Sequence, residues 1–406
     1  LFDLYLFSAK RRFVCQLMTT RVSRSLNPVS AALCPRATWG GVLRGSAIAL
    51  TLITATSAVA AAQTGLTHTV VAGVTHHRYH RKTKAGPMVV NVLRVDPGLA
   101  TIKSLVAQKP RGGFGRATVS QLAKRYGARA AINGSFFNFV NNEPAGLMVV
   151  DGQIISSSPL NRSVFGIRYD GTPFIDDARV RASVLLETGN ELPISRVNSR
   201  AKPNELTLYT NHFGRSTRTP IEGARYEVAV DSVGTVTEVS NGNLPIPENG
   251  YVISANGRAF WPLLHALEPG AHALVYTKLS GLWEGVRYAI GGGPTIVHQG
   301  SVFVTARQEN FGAHIASGRA PRTAIGYTAA NTILLVTVDG RQPRYSVGCT
   351  LNELARFLIE LGCKEAINLD GGGSTVMVVN GKRANRVSAG VERYVSNAIG
   401  VFPGVQ

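Results

Sequence analysis

The chain reads as an α+β protein built mainly from mixed or antiparallel sheet, with few helices, in a single large domain. Three observations predict this. Short runs rich in Val, Ile and Leu recur along the chain and are cut at close intervals by Gly, Pro or Asn. Only two stretches carry clear helical spacing. The 43 glycines among 406 residues supply the tight turns that such a sheet needs.

At the N-terminal side, Arg36 and Arg44 precede an apolar run from Ala47 to Val59, broken only by Thr and Ser and followed by Ala60-Ala61-Ala62-Gln63. A basic flank, a short apolar centre and small residues describe a secretory signal, cleaved after Ala60 or Ala62. The run is short and hydroxyl-rich for a membrane span, with an uncleaved anchor as the alternative, and no membrane association beyond this segment is expected. Residues 1–62 are therefore read as the signal region, with Met18 as a candidate start and a secreted, periplasmic or wall-associated product. Residues 63–86 read as a polar basic linker or a strand edge, and 87–406 as the catalytic domain. His76, His77 and His80 sit among Arg78, Arg81 and Lys82. Those cations oppose a metal ion, and no carboxylate or cysteine joins the histidines.

Strands are predicted over 89–95, 102–106, 164–169, 180–186, 206–210, 226–230 and 333–338. Helices are predicted over 118–126, with Leu122 and Ala123 on its apolar side, and over 351–361, where Leu351, Leu354, Leu358 and Leu361 recur at helical spacing. Cys349 and Cys363 flank the second helix, whose rise of ~1.5 Å per residue would hold them roughly 20 Å apart, beyond disulfide reach. Two unpaired, buried thiols are expected.

The net charge is +19; residues 1–62 hold seven Lys/Arg and one acid, leaving 36 bases against 23 acids in the remainder. An excess of this size favours anionic surroundings. Nucleic acid is not expected, because the bases are scattered and no helix-turn-helix, zinc-finger or RRM signature occurs. An anionic cell-wall polymer or a phosphorylated glycan suits an exported protein better, although scattered arginines also serve as ordinary solvated surface.

The densest chemical signal is Ile367-Asn368-Leu369-Asp370-Gly371-Gly372-Gly373-Ser374-Thr375. An apolar run ends in one carboxylate, and three glycines and two hydroxyls follow. Glycines can expose successive N–H groups as an anion-binding concavity beside the acid, or the stretch is a strand and a tight turn capped by Asp and Ser. It is neither a Walker loop nor G-x-G-x-x-G. A similar grammar, glycine turn then strand then polar-Gly hairpin, starts at Asn133-Gly134 and at Gly291-Gly292-Gly293, so three glycine turns could converge on one pocket. G-x-S-x-G is absent, which argues against a serine hydrolase, and Cys363 ends a helix like a packing residue.

I-N-G-S-F-F-N (132–138), P-A-G-L (144–147), G-G-G-P (291–294), P-R-T-A-I-G-Y (321–327), V-D-G-R (338–341), L-x-E-L-A (351–355), L-G-C (361–363), N-L-D-G-G-G-S-T (368–375) and S-N-A-I-G-V (396–401) occur in this order. Together they resemble the phosphodiester glycosidase family over about residues 87–403. The resemblance implies hydrolysis of a sugar-1-phosphodiester, such as an N-acetylglucosamine-1-phosphodiester, at the anomeric carbon, releasing sugar and a phosphomonoester. Phosphate is already a good leaving group, so the site needs cations and N–H donors on the phosphate, and a carboxylate to assist water or attack.

On that reading Arg322 is the first choice for the phosphate, through its bidentate fork, or else a structural arginine. Gly371, Gly372, Gly373, Ser374 and Thr375 would add donors. Gly291 and Gly292 would do likewise or only allow close packing. Asp370 is the best carboxylate, as nucleophile, base or holder of sugar hydroxyls, and Asp339 is the second acid or a turn residue. Glu143 and Glu309 are reserves. Asn133 and Asn397 could bind sugar hydroxyls, whereas Phe136 and Phe137 read as core. No cofactor is expected. A divalent cation at Asp339 and Asp370 is the alternative, although no loop has EF-hand spacing. The competing function is a non-catalytic binder of phosphorylated surface polysaccharide.

Overall fold

Strands that are apolar at every position need cover on both faces, and the centre of this protein is such a sheet. The computed structural model describes residues 64–404 apart from 179, 222–224, 258–265 and 280. The expected signal over 1–62 lies outside the described residues. Eight strands run in the order Thr64–Val71, Val74–Thr83, Gly86–Val95, Ile333–Val338, Arg322–Thr328, Cys363–Asn368, Thr295–His298 and Ser301–Val302, each antiparallel to its neighbours. Ile333–Val338 is buried along its whole length. Leu335, paired with Leu93 and Ile325, faces one core, while Val336, paired with Val92 and Ala324, faces the other. The strand period of two thus distributes one continuous apolar run between two cores.

The helix Leu351–Glu360 covers the second core. It starts where Thr350 and Glu353 form a reciprocal capping box, and it buries Leu351, Leu354, Ala355 and Leu358. Each of those leucines contributes about 1.5–3 kcal/mol relative to exposure. The first core is closed by a five-stranded sheet, Lys382–Arg383, Met377–Val379, Ala130–Asn133, Asn397–Pro403 and Ala100–Val106, whose Ile132, Met377 and Ile399 pack with Ile325 and Ile367. On its outer face lies the helix Val119–Tyr126, opened by a Thr118–Gln121 capping box and ended by Gly127 at φ 72°. A third sheet carries Val286–Gly291 beside Ser163–Arg168, and a separate core gathers Val184, Leu206, Val228 and Ile253.

The α+β class with antiparallel sheets and few helices is therefore as the sequence predicts, and so are the two helices and the strands over 89–95 and 333–338. For residues 63–86 the linker reading gives way to the strand-edge one: Thr64–Val71 and Val74–Thr83 form a hairpin at the edge of the large sheet. Within the basic composition Val74 and His76 are buried on one face of the strand and Tyr79 on the other, where Tyr79 meets the Phe357 ring edge-on at 5.4 Å. Cys349 and Cys363 are free and buried, as expected. Burial pushes both thiols up to about 12.

Candidate active site

Three neighbouring strands of the large sheet end at one place. Arg322 opens its strand opposite Val338, and Asn368 closes the next strand opposite Ala324. From the facing sheet come Asn133 and Asn397, at the end and start of adjacent strands. The chain then crosses between sheets. Leu369 N–H donates to Thr323 C=O at 2.8 Å, Asp370 N–H to Gly134 C=O at 3.2 Å, and Gly372 N–H to Pro321 C=O at 2.9 Å. Asp370 is thereby presented in a cleft of about 250 Å³ lined by Phe136, His314, Arg341, Asn368, Arg393 and the glycines 371–373.

Asp370 is the only carboxylate among the lining residues. Burial pushes its pKa up to about 6, against the opposing pull of the Ser374 hydroxyl, the Arg393 charge and the Gly371 N–H. The acid is thus poised to be ionised at neutral pH and protonated in mild acid. Arg341 and Arg393 are exposed and flank it. Arg341 Nη2 lies 3.2 Å from the point where a Cβ on Gly372 would stand, and Arg393 Nη2 lies 2.5 Å from the corresponding point on Gly373. The two glycines therefore have a steric role: they let two guanidinium groups close on the turn that carries the acid. Gly372 also adopts φ 61°, where a side chain would be strained.

Several residues picked from the sequence serve this geometry from beneath. Arg322 lines the cleft, but its guanidinium is committed to backbone carbonyls, with Nε donating to Cys349 at 3.2 Å and Nη2 to Ile315 at 3.0 Å and Gly318 at 2.5 Å. It braces the loop before its strand through Nε and Nη2, and the exposed cations of the cleft are Arg341 and Arg393. Asp339 is buried and absent from the cleft lining. Its carboxylate accepts from Tyr345 Oη at 3.0 Å, Asn385 Nδ2 at 2.9 Å and Arg386 N–H at 3.0 Å. It anchors the turn on which Arg341 sits, at φ 60°. A cation shared by Asp339 and Asp370 does not fit this donor set. Among the described residues no group of three or more His, Cys, Asp or Glu is placed to hold a metal.

The amides are structural in the same sense. Asn133 Nδ2 donates to Asp370 C=O at 2.6 Å, while its Oδ1 accepts from Thr323 Oγ1 and Val376 N–H. Asn397 Oδ1 accepts from Ser135 N–H at 2.6 Å and its Nδ2 donates to Ser396 Oγ. Gly291 and Gly292 direct their N–H groups to Leu147 and Ser163 carbonyls, and a Cβ at Gly292 would stand 2.8 Å from Asn368 C=O. They allow close packing and offer no N–H to an anion. Ser374 and Thr375 are buried; Ser374 accepts from Arg393 Nη1 at 3.4 Å, and Thr375 accepts from Thr323 Oγ1. The three glycine turns do meet, since Gly293 N–H also reaches Asn368 C=O at 2.9 Å. Glu309 caps that turn by accepting from Ser163 N–H and Thr295 N–H, each at 2.9 Å, and Glu143 accepts from Arg200 N–H. Of the residues sequence reasoning missed, Arg341 lies inside the quoted V-D-G-R motif, whereas Arg393 stands in a loop and His314 in the one-turn helix Ala313–Ala316, with no pattern around either.

An acid of raised pKa beside two arginines, at the end of antiparallel strands, has the charge arrangement that hydrolysis of an anionic ester or glycoside calls for. Residues 224–402, which contain Asp370, Arg341 and Arg393, match the phosphodiester glycosidase family model, and over that stretch the chain resembles such a domain. It is similar to mouse N-acetylglucosamine-1-phosphodiester alpha-N-acetylglucosaminidase, 27% identical over 271 residues, which are 66% of this chain and 35% of that protein. It is also 42% identical over 79 residues to a prophage-derived protein, YomE, of Bacillus subtilis, which is 20% of this chain and 12% of that one. The chain thus spans about a third of the first relative and an eighth of the second. A crystal structure of a Synechocystis protein superposes with a TM-score of 0.74 at 26% identity, covering 83% of this chain and 63% of that one.

Proposed function

We propose that this protein is an exported hydrolase that cleaves a sugar-1-phosphodiester at the anomeric carbon, freeing the sugar and leaving a phosphomonoester, on a cell-wall or exopolysaccharide glycan. The observation that carries the reading is the placement of Asp370, as the one carboxylate of the cleft, beneath two exposed guanidinium groups. Ordinary glycoside hydrolysis uses two carboxyl groups, one of them an acid for the leaving oxygen. A departing phosphate needs its charge held rather than a proton delivered. Arg341 and Arg393 are suited to hold it, and Asp370 in its ionised form assists water or attacks the anomeric carbon. Hydrolysis adds water across the C1–O bond, with the hydroxyl going to the sugar and the proton passing through Asp370 to solvent.

The family match and the likeness to the mouse enzyme support the reaction class. The apolar run from Ala47 to Val59 supports export, and the basic charge supports an anionic polymer. No described helix is long and apolar enough to cross a membrane. The test is release of reducing sugar from an N-acetylglucosamine-1-phospho-6-sugar diester by residues 63–406, beside Asp370→Asn and with or without chelator. Release that is abolished in a folded Asp370→Asn variant supports the proposal. Hydrolysis of a plain glycoside but of no diester overturns it, and binding of phosphoglycan that survives Asp370→Asn without turnover favours a binding module.

A further inference from the structure

The cleft opens onto a second, larger cavity of about 740 Å³, bordered by Arg116, Phe139, Gly373, Val391, Arg393 and Tyr394. Gly373 and Arg393 belong to both cavities, so the bay is continuous with the site across the guanidinium assigned to the phosphate. Its walls are unusual for solvent-facing loops: Phe139, Val391 and Tyr394 are 59%, 72% and 55% exposed. Arg393 lies over the Phe139 ring at 5.9 Å.

The charge of the bay is one-sided. No acid borders it, and Arg116 is exposed, with no hydrogen bond or ion pair among the described residues. The acid next to Arg393, Glu392, is turned away from the bay, accepting from Ser120 N–H at 3.1 Å and Ser120 Oγ at 2.5 Å at the start of the helix Val119–Tyr126. That contact fastens the Val391–Tyr394 wall to the fold, so the apolar side chains and Arg393 are presented on a supported segment. On the cleft side, Asn368 lines the cleft and its buried Oδ1 has no hydrogen-bond partner, an acceptor that a sugar hydroxyl reaching it would satisfy.

From these features we propose that the protein acts on a glycan whose phosphodiesters repeat. The sugar to be released occupies the cleft, with a hydroxyl on Asn368 Oδ1. Its phosphate lies at Arg341 and Arg393. The next ring stacks its apolar face on Phe139 and Tyr394, and the phosphate beyond that ring is met by Arg116. This rests on the diester-hydrolase reading above and narrows it from any single diester to a polyanionic chain. Sugar rings present C–H faces to aromatic rings, and an alternation of ring and anion matches a bay in which aromatic and cationic groups alternate without an acid.

The test compares two synthetic probes: N-acetylglucosamine-1-phospho-6-N-acetylglucosamine methyl glycoside, and the same molecule bearing one further phosphate monomethyl ester on the second ring. The expected result is a kcat/KM for the longer probe higher by on the order of fivefold at low salt, shrinking as salt is raised, because the added contact is an exposed ion pair. Arg116→Ala should bring the longer probe down to the rate of the shorter one, and Arg116→Lys should restore part of the difference. Equal rates for the two probes in the unmodified protein, or a preference that persists in Arg116→Ala, overturn the proposal. If neither probe is cleaved, the hydrolase reading fails separately. The bay is then judged by equilibrium binding of the two probes, where equal affinity overturns it and tighter binding of the longer probe, lost in Arg116→Ala, supports it.

Discussion

Asn133 reaches across from the smaller sheet and donates its side-chain amide to the backbone carbonyl of Asp370 at 2.6 Å. Its other end accepts from Thr323 Oγ1 at 2.8 Å and Val376 N–H at 3.1 Å, so one fully buried amide ties together both sheets and the acid. The orientation of the only carboxylate in the cleft is therefore set by a residue about 240 positions earlier in the chain.

Removing that amide should be felt twice. Asn133→Ala leaves the Asp370 carbonyl and the Thr323 and Val376 donors unmatched in a buried setting, at roughly 2–4 kcal/mol of stability. It should also lower kcat more than it raises KM, since Asp370 would no longer be held in place. Urea unfolding combined with steady-state kinetics checks this. Unchanged stability would show that the amide does not join the sheets as described.

Asp370 carries a pH dependence of definite sign. With its pKa raised to about 6 by burial, kcat/KM should climb about tenfold per unit between pH 4.5 and 6 and level off above, because the ionised form does the chemistry. Arg393→Ala should move the inflection upward, since the guanidinium favours the carboxylate. Stability runs the other way. A carboxyl whose folded pKa exceeds its unfolded value holds its proton more tightly when folded, so its contribution is lost as pH rises from about 4 through 6. Asp370→Asn should therefore raise Tm at pH 7.5 and leave it nearly unchanged near pH 4. A flat rate profile across pH 4.5–7.5 would remove Asp370 from the chemistry.

The three arginines of the cleft should separate by kind of damage. Arg322 binds carbonyls of Ile315, Gly318 and Cys349, so Arg322→Lys loses a planar fork and should cost roughly 2–4 kcal/mol of stability. Arg341 is exposed, and Arg341→Lys should leave Tm within about a degree or two while reducing kcat/KM by about tenfold or more. Equal stability losses in both variants would contradict the division between brace and ligand.

How far the chain discloses itself follows from where each residue keeps its information. The strands at 333–338 and 89–95 are legible because cover on both faces makes each a short, nearly continuous apolar run, and the helix at 351–360 because burial writes a local period of 3.6 into it. The hairpin over 64–83 is less so, because its buried Val74, His76 and Tyr79 are split between two faces and set among basic residues. Asp370 stands out because an apolar strand ends on it before three glycines. Whether Arg322 reads as phosphate ligand or structural arginine is not written locally, because a guanidinium turned toward carbonyls and one turned toward solvent have the same sequence; the fold directs its Nε and Nη2 to carbonyls. Arg393 sits in a polar loop, and only the folded chain brings it against Gly373. The N–H groups of Gly291 and Gly292 look available in the sequence and prove committed to Leu147 and Ser163.

The closest test of the glycine turn uses the smallest possible change. A Cβ at Gly373 would stand 2.5 Å from Arg393 Nη2, with the guanidinium carbon next nearest at 2.8 Å. The obstruction is the far end of a flexible, exposed side chain, so Gly373→Ala should displace the arginine rather than the backbone and change Tm by only a degree or two. Activity should fall with Arg393, by about tenfold or more if that guanidinium holds the leaving phosphate. Because both changes remove the same contact, the double variant Gly373→Ala with Arg393→Ala should be no worse than Arg393→Ala alone, a coupling measurable in a double-mutant cycle on kcat/KM. Strictly additive losses would mean that Gly373 acts on the substrate by its own backbone, and the steric role assigned to it here would fall.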